Sequence, residues 1–286
     1  MKRKACVIGW PIEHSRSPII HTHWLGRHGI DGRYDKVAVK PEADALCHFL
    51  KTLRQNGYVG CNVTVPHKEA AFGLLDRADP SAKAVSAANT IWMEGDLICG
   101  ANTDTYGFMA HLTVTVPDWK SALVGKDQTA LVLGAGGAAR AIVYGLIEAG
   151  ISQIVLCNRT LERAQTVARD FGQHATIKTA DWSTRQAEVV RAGLIINTTT
   201  MGMNDNGDLG LDLSAAPNDC VVADIVYVPL ETGLLSAAKA SGLRTVDGLG
   251  MLLHQAVPGF EKWFGIRPDV TDELRQIIIA DLARAA

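Results

Sequence analysis

The sequence predicts an α/β protein composed of two α/β domains. Short apolar runs typical of buried strands alternate with helical stretches along the chain. The length of 286 residues favours two domains over one. One apolar run, 129–133, ends abruptly in a glycine-rich turn and leads into an alanine-rich helical pattern.

The first hundred residues are predicted to form a domain with a mostly parallel sheet. Strands are expected at 5–9, 34–39 and 58–65, helices at 18–28 and 42–54, and Pro66 is expected to open a further helix. The short runs 89–93 and 97–101 flank a turn around Gly95 and indicate a β-hairpin.

The second domain is predicted from six strand-like runs with helices between most of them: 129–133, 153–157, 175–178, 194–197, 221–226 and 244–246. This rhythm is typical of a doubly wound, Rossmann-type domain. The polar segment 116–127 indicates a boundary region before it, and helices are expected at 248–264 and 271–285 after it. Because no strand follows these helices, we expect them to return to the first domain. The predicted domains are therefore 1–104 plus 249–286, and 105–248, flanking an active-site cleft.

Composition limits the classes of function. A net charge of −2 without basic runs gives no reason to expect nucleic acid, and no apolar run is long enough to span a membrane. The six cysteines are far apart without a CxxC pair, so we expect reduced thiols in a cytoplasmic protein. No metal site is expected, because the histidines show no HExxH pattern. The sequence leaves monomer and homodimer open.

The glycine-rich turn Gly134-Ala135-Gly136-Gly137 predicts a dinucleotide site. Gly134 suits the tight turn, Gly136 allows the backbone to approach a pyrophosphate, and Ala139 allows helix and strand to pack closely. Free N–H groups at the start of the helix would face the anion. The alternative is a glycine-rich turn with a purely structural role.

The end of the second strand of this domain favours NADP over NAD. NAD-binding domains of this type carry an acidic residue there, which accepts hydrogen bonds from the ribose. Here Asn158, Arg159 and Thr160 follow instead, with Arg163 one turn into the next helix. Arginine can bind a ribose 2′-phosphate in a bidentate manner. The alternative for Arg163 is a solvated surface residue.

Three polar clusters follow strands of the first domain. Ser15 and Ser17 lie in the first, 13–18, and could bind a substrate carboxylate or cap the next helix. Lys68 ends the second, 62–68, and could be solvated or catalytic. Asp104 closes the third, 101–104, and could be a helix cap. If Lys68 and Asp104 converged, they would form a proton-transfer dyad.

Several motifs together resemble those of the shikimate dehydrogenase family. They are GWPIEHSRSP at 9–18, NVTVPHK at 62–68, NT at 89–90, GANTD at 100–104, GAGGAAR at 134–140, NRT at 158–160, MGM at 201–203, DIVY at 224–227 and DGLGMLLHQA at 247–256. The motifs occur in the family's order across almost the whole chain. The resemblance implies NADP-dependent, reversible interconversion of shikimate and 3-dehydroshikimate in aromatic amino acid (chorismate) biosynthesis.

The resemblance also implies roles for individual residues. Lys68 and Asp104 would be the catalytic pair, and Asp104 would also contact the substrate. Other substrate contacts would be Ser15, Ser17, Thr64, Asn89, Tyr227 and Gln255. Cofactor contacts would be Gly134, Ala135, Gly136, Gly137, Ala138, Asn158, Arg159, Thr160, Arg163, Ile225 and Gly248. Thr198-Thr199-Thr200 departs from the family's commoner pattern on the cofactor side, and Ser86-Ala87-Ala88 departs from it before Asn89.

Two alternatives remain at this point. One is a relative of the same superfamily that oxidises quinate or an aminoshikimate. The other is a non-catalytic dinucleotide-binding protein on the same fold, since a fold alone does not establish a function. Retention of both Lys68 and Asp104 argues against the second, because a binding module has no need of a proton-transfer pair.

Overall fold

Strands and helices alternate along the chain in a computed structural model that describes residues 3–42, 44–125, 128–203 and 206–285. The strands are β1 Arg3–Gly9, β2 Gly32–Ala38, β3 Tyr58–Val63, β4 Arg77–Ala78, β5 Thr90–Glu94, β6 Leu97–Ala101, β7 Thr129–Leu133, β8 Gln153–Asn158, β9 Thr176–Asp181, β10 Ala192–Asn197, β11 Val221–Asp224 and β12 Arg244–Val246. The helices are α1 Ser17–Arg27, α2 Ala45–Lys51, α3 Lys68–Phe72, α4 Pro80–Val85, α5 Thr103–Thr115, α6 Gly137–Glu148, α7 Leu161–Phe171, α8 Arg185–Glu188, α9 Gly233–Ala240, α10 Gly248–His254, α11 Ala256–Phe264 and α12 Asp272–Ala285.

The chain divides into two compact units. The first contains Met1–Gly107 and Leu253–Ala286, and the second contains Phe108–Leu252. Both divisions fall inside helices, α5 and α10, a few residues beyond the bounds inferred from the sequence. A continuous helix carries no turn residue at which a sequence pattern could mark such a division.

The first unit is built on a six-stranded mixed sheet in the order β2-β1-β3-β5-β6-β4. Strand β1 is parallel to both β2 and β3, whereas β5 runs antiparallel to β3 and to β6. The predicted hairpin is therefore present as β5 and β6. Strand β4 and helix α4 were not predicted, because two residues of strand and six of helix are too short to show a period.

The carboxyl ends of β1 and β3 approach each other closely. The N–H of Trp10 donates to the carbonyl of Val65 at 3.0 Å. A Cβ atom at Gly9 would lie 2.5 Å from Cγ2 of Thr64 and 3.0 Å from the Val65 carbonyl, so only glycine fits there. This contact brings the loop after β1, with its two serines, beside the loop that leads to Lys68. The helix expected at Pro66 begins at Lys68 instead.

The second unit is built on a parallel sheet in the order β12-β11-β10-β7-β8-β9. This is the doubly wound order, with the crossover reversing between β7 and β10, and it confirms the Rossmann-type prediction. All six predicted strands are present. The reversal leaves a crevice at the carboxyl ends of the central strands, where such folds bind nucleotides.

The segment 116–127 differs from the expectation of a boundary region. Trp119–Leu123 forms a 3₁₀-helix with Trp119 and Ala122 buried. It packs against β10 so closely that a Cβ at Gly193 would lie 1.7 Å from the Ala122 carbonyl. The segment is therefore part of the second unit's core. Residues 126 and 127, at its end, lie outside the described residues.

The stretch after β12 also differs from its prediction. One helix was expected at 248–264, but α10 and α11 are separate, and Gln255 lies at their junction. Helix α11 packs on the first sheet, where Nε1 of Trp263 donates to the carbonyl of Ile91 at 2.9 Å. Gly60 permits this approach, since a Cβ there would lie 2.0 Å from that nitrogen.

Each of the six cysteines, all of which lie in the described part of the chain, is a free thiol. Among the described helices, none combines the length and the hydropathy that crossing a membrane requires.

Candidate active site

A lysine and an aspartate form an ion pair in the first unit. Nζ of Lys68 lies 2.6 Å from Oδ2 of Asp104. The side chains are 30% and 16% exposed, respectively. The two residues are far apart in sequence and begin different helices, Lys68 as the first residue of α3 and Asp104 as the second of α5. The residues by themselves left open whether Lys68 and Asp104 converge, and the two side chains do meet. A lysine paired with a carboxylate at this distance has a geometry suited to proton transfer.

Asn89 holds the second oxygen of the Asp104 carboxylate. Its Nδ2 donates to Oδ1 of Asp104 at 2.8 Å, while its Oδ1 accepts from the N–H of Thr103 at 2.8 Å. Because a backbone N–H can only donate, the orientation of the Asn89 amide is fixed. The cap suggested for Asp104 is instead provided by Asn102, whose Oδ1 accepts from the N–H of Asp104 at 3.1 Å. The carboxylate of Asp104 is thereby available to Lys68.

The backbone around Lys68 is fixed from two directions. Its carbonyl accepts from the N–H of Ala88 at 2.9 Å, next to Asn89. On the other side, the buried ring of His67 has Nε2 2.7 Å from the carbonyl of Val39. The lysine side chain therefore extends from a backbone held in one position, within reach of Asp104.

The two serines after β1 are not used as helix caps. The N-cap of α1 is Arg16, and it makes no side-chain capping hydrogen bond. Ser17 is buried as the first residue of the helix, and Ser15 is half-buried. Between the two serines, Nε of Arg16 forms an ion pair of 3.1 Å with Asp281 of α12. This ion pair anchors the loop after β1 to α12. The capping alternative is therefore wrong, and neither hydroxyl is spent on the end of the helix.

The other predicted substrate residues are distributed over both units. Thr64 is half-buried where β1 and β3 meet, and Gln255 is buried between α10 and α11; both belong to the first unit. Tyr227 is half-buried and belongs to the second unit, just after β11. The first unit thus brings together Ser15, Ser17, Thr64, Lys68, Asn89 and Asp104 at the ends of its strands.

The glycine-rich turn in the second unit has the expected geometry. Gly134 has φ +110°, and a Cβ there would lie 2.5 Å from Oγ1 of Thr198. Gly136 and Gly137 are exposed, with no atom within 4 Å of the position of a Cβ, so a ligand can approach the backbone. Helix α6 starts here, and its buried Ala139 packs toward the sheet. These features fit a bound pyrophosphate. Ala135 and Ala138, which flank the two exposed glycines, are half-buried.

The end of β8 presents positive charge to solvent. Arg159 and Arg163 are exposed, and within the described ranges neither guanidinium pairs with a carboxylate or a carbonyl. Thr160 is the N-cap of α7 but makes no side-chain capping bond. Nδ2 of Asn158 donates to the carbonyl of Thr160 at 2.8 Å and holds the turn. This arrangement fits a ribose 2′-phosphate.

Ile225 and Gly248 meet at the ends of β11 and β12. A Cβ at Gly248 would lie 2.3 Å from the carbonyl of Ile225 and 2.6 Å from that of Val226. The start of α10 can therefore approach this segment only with glycine at 248. The predicted cofactor residues of the second unit all lie at the carboxyl edge of its sheet, as the doubly wound fold requires.

Comparison with known protein families matches both units. The family of the shikimate dehydrogenase substrate binding domain matches residues 7–91, shikimate / quinate 5-dehydrogenase matches 120–203, and the shikimate 5′-dehydrogenase C-terminal domain matches 248–276. The chain belongs to the shikimate dehydrogenase family.

Individual relatives agree with this assignment. The chain is 52% identical to the shikimate dehydrogenase (NADP(+)) of Brucella abortus (strain S19), over 99% of this chain and 96% of that protein. Shikimate 5-dehydrogenase from Thermus thermophilus, solved with NADP(H) and shikimate, is 36% identical with a TM-score of 0.78, over 94% and 95% of the two chains. Quinate dehydrogenase from Corynebacterium glutamicum, solved with NAD, is 28% identical with a TM-score of 0.87, over 98% and 99%.

A buried carboxylate, Asp224, ends β11, next to the predicted cofactor residue Ile225. The sequence patterns did not single out Asp224 as a functional residue. Its Oδ1 accepts from Nδ2 of Asn197 and from the N–H of Val226, both at 2.9 Å, and Oδ2 accepts from Oγ1 of Thr232 at 2.7 Å. Burial raises the pKa of Asp224 to about 6, and these three hydrogen bonds oppose the shift. The available signal was that the apolar runs of β10 and β11 each end in a polar residue, Asn197 and Asp224, on neighbouring strands.

The threonines that depart from the family's commoner pattern serve the same region. Oγ1 of Thr198 donates to the carbonyl of Leu133 at 2.7 Å, and Oγ1 of Thr199 donates to Oδ1 of Asn197 at 2.7 Å. Both hydroxyls are thus used inside the protein, where they tie the loop after β10 to β7 and to Asn197. The other departure, Ser86, has φ +54° at the C-cap of α4.

The titration of Asp224 predicts a pH-dependent contribution to stability. The folded protein keeps this proton up to about pH 6, whereas the ordinary pKa is 3.8, so the folded state binds more protons between these values. The contribution to the free energy of unfolding is greatest below pH 4 and falls by about 3 kcal/mol as the pH rises to 6. The difference between wild type and Asp224→Asn, measured by urea denaturation, should fall across that window and level off above it.

Asp212→Asn provides the control for this measurement. Asp212 is exposed, and hydrogen bonds from Ser214 lower its pKa, which is the opposite shift. The wild-type minus variant difference should therefore not fall between pH 4 and 6. A flat difference curve for Asp224→Asn would show that the carboxyl titrates normally in the folded protein.

Proposed function

We propose that this protein is an enzyme that interconverts shikimate and 3-dehydroshikimate, with NADP as its cofactor. The observation that carries the proposal is the 2.6 Å pair of Lys68 and Asp104 within the region that matches a shikimate dehydrogenase substrate-binding domain. Such a pair is suited to moving the proton of a reacting alcohol, the step that accompanies hydride transfer.

Lys68 is proposed to accept the hydroxyl proton during oxidation and to return it during reduction. Asp104 holds the ammonium group in place by charge and hydrogen bonding, and Asn89 keeps the carboxylate turned toward it. When bound, NADP supplies the hydride acceptor. The chain's own residues thus carry the proton, while the second unit holds the cofactor.

The rest of the first-unit site is proposed to bind the substrate. Ser15 and Ser17 hold its carboxylate, since their hydroxyls are not spent on capping α1. Thr64, Asn89 and Gln255 contact its hydroxyl groups, and Tyr227 is a further proposed substrate contact. A small polyhydroxylated acid needs several such hydrogen-bonding groups and one proton-transfer group.

The cofactor is proposed to lie along the carboxyl edge of the second sheet. The pyrophosphate binds over Gly134–Ala138 at the start of α6, where exposed glycines leave the backbone accessible. Arg159 and Arg163, with Asn158 and Thr160, bind the ribose 2′-phosphate. Ile225 and Gly248 contact the nicotinamide side. We further propose a cytoplasmic location, which the free thiols favour.

A single assay tests this function. Purified protein should form NADPH from NADP and shikimate, with lower kcat/KM when quinate replaces shikimate or NAD replaces NADP. The comparison with quinate is needed because a quinate dehydrogenase shares the fold. Preference for quinate would assign the protein to that activity, and failure to turn over any of these pairs would contradict the proposal.

Replacement of Lys68 tests the proton-transfer role. Lys68→Ala should lower kcat by about two to four orders of magnitude, the usual size of a general acid–base contribution, with much smaller changes in KM. Lys83→Ala removes an exposed lysine from α4 of the same unit and should leave both constants unchanged. A kcat of Lys68→Ala within about threefold of wild type would remove this residue from the mechanism.

Replacement of Arg159 tests the preference for NADP. Arg159→Asp should raise KM for NADP far more than KM for NAD, by about tenfold or more, because a carboxylate repels the 2′-phosphate. Arg169→Asp makes the same charge change at the far end of α7, on another exposed arginine. It should affect both cofactors equally and slightly. Parallel changes for the two cofactors in Arg159→Asp would refute the role of this arginine.

A further inference from the structure

A buried tyrosine lies behind the catalytic pair in the first sheet. Tyr34 is on β2, 6% exposed, with its ring stacked on that of His21 at 4.0 Å between centroids. Its hydroxyl donates to Oδ1 of Asn62 on β3 at 2.6 Å, and the side chain of Ser17 is a second hydrogen-bond partner of this hydroxyl. Neither family resemblance nor pattern in the sequence pointed to this residue.

The amide of Asn62 can have only one orientation. Its Nδ2 donates to the carbonyl of Asn89 and to Oγ1 of Thr90, both at 3.1 Å. A carbonyl can only accept, so Nδ2 must face it and Oδ1 must face Tyr34. The Tyr34 hydroxyl is therefore the donor in its bond to Asn62. All these groups are buried, so a water molecule has no open route by which to replace the phenol.

Hydrogen bonds continue from Asn62 to the catalytic carboxylate. Oγ1 of Thr90 lies 3.0 Å from Oγ1 of Thr103, which donates to Oδ1 of Asn89 at 3.0 Å. Asn89 then donates to Asp104, and Asp104 binds Lys68. Between the two threonines either hydroxyl can be the donor, and Oγ1 of Thr90 also lies 3.1 Å from Oδ1 of Asn89. The hydrogen bonds therefore run from Tyr34 through Asn62 to Thr90, and from Thr90 to Asn89 both directly and through Thr103, before they reach Asp104.

We propose that Tyr34 is a positioning residue for the reaction, acting through this buried chain on the orientation of Asn89 and Asp104. The inference rests on the proposed function for its kinetic consequences. If the phenol hydroxyl is removed, the buried Oδ1 of Asn62 loses the short hydrogen bond from Tyr34, which is costly. Asn62 then gains by shifting or rotating, and the bonds to Asn89 and Thr90 are lost or weakened. Asn89 no longer holds Asp104 in one position relative to Lys68.

Tyr34→Phe tests the proposal with Tyr58→Phe as the matched control. Both residues lie on strands of the first sheet and donate a phenol hydrogen bond to a side-chain oxygen, that of Tyr58 to Oδ2 of Asp35 at 3.1 Å. Tyr34→Phe should lower kcat about tenfold, with KM for NADP unchanged, because the loss of this buried hydrogen bond disturbs the reacting groups rather than the cofactor site. Tyr58→Phe should keep wild-type kinetics.

A second measurement does not depend on turnover. The side-chain amide ¹H–¹⁵N signal of Asn89 should move in Tyr34→Phe and stay in place in Tyr58→Phe. Thr90→Val, which cuts the same chain at a different link, should lower kcat and move the Asn89 signal in the same way. This variant also decides the matter if Tyr34→Phe does not fold.

The outcomes separate the possibilities. If kcat and the Asn89 signal of Tyr34→Phe and Thr90→Val match those of Tyr58→Phe, Tyr34 is only a core residue and the proposal is overturned. A moved signal with unchanged kcat overturns it as well. If the wild type itself does not oxidise shikimate, the proposed function fails, and the Asn89 signal alone then decides whether Tyr34 orients Asn89.

Discussion

The hydrogen bond from the Thr103 N–H to Oδ1 of Asn89 determines how the site in the first unit is arranged. A backbone donor on one side of the amide leaves only Nδ2 to face Asp104. The carboxylate held in this way presents its other oxygen to Lys68 at 2.6 Å. The two charged side chains come from different helices. Their geometry therefore depends on Asn89, which directly precedes the β5–β6 hairpin and binds the start of α5.

In the second unit, the arrangement of the loops at the predicted cofactor site depends on close backbone packing that only glycine permits. Gly134 and Gly248 each lie where a Cβ would collide with a neighbouring segment, at 2.5 and 2.3 Å. The first approach lets the loop after β7 touch the loop after β10, and the second lets the start of α10 touch the loop after β11. A ligand that lies across the carboxyl edge of the parallel sheet meets exposed backbone at Gly136 and exposed guanidinium groups at the end of β8. Glycines therefore leave room for a ligand at this edge of the sheet, and the arginines at the end of β8 make one end of it positively charged.

Burial of polar groups has a cost in both units, and hydrogen bonds offset it at Asp224 in the second unit and at Asn62 and Thr90 in the first. The carboxylate of Asp224 accepts three hydrogen bonds in an apolar surrounding, which keeps the loops after β10 and β11 together. In the first unit, Asn62 and Thr90 are linked to Tyr34 and Asn89 in the same manner. A substitution at either place leaves an unsatisfied group, so its effect extends beyond the residue changed.

Patterns in the amino-acid sequence are enough to predict most of the strands and helices in their order, the glycine turn, the basic end of β8 and the residues of the family motifs. These are local signals, because apolar period, turn residues and motif spacing act over a few positions. The sequence alone could not decide whether Ser15 and Ser17 cap a helix or are free to bind a substrate carboxylate, or whether Asp104 caps a helix or pairs with Lys68. It also did not reveal that segment 116–127 enters the core of the second unit. Tyr34, Asn102 and Asp224 were likewise not assigned their partners. The contacts of Tyr34 with Asn62 and of Asp224 with Asn197 join segments distant in the chain, so the pairing of each buried donor with its acceptor depends on how the strands pack.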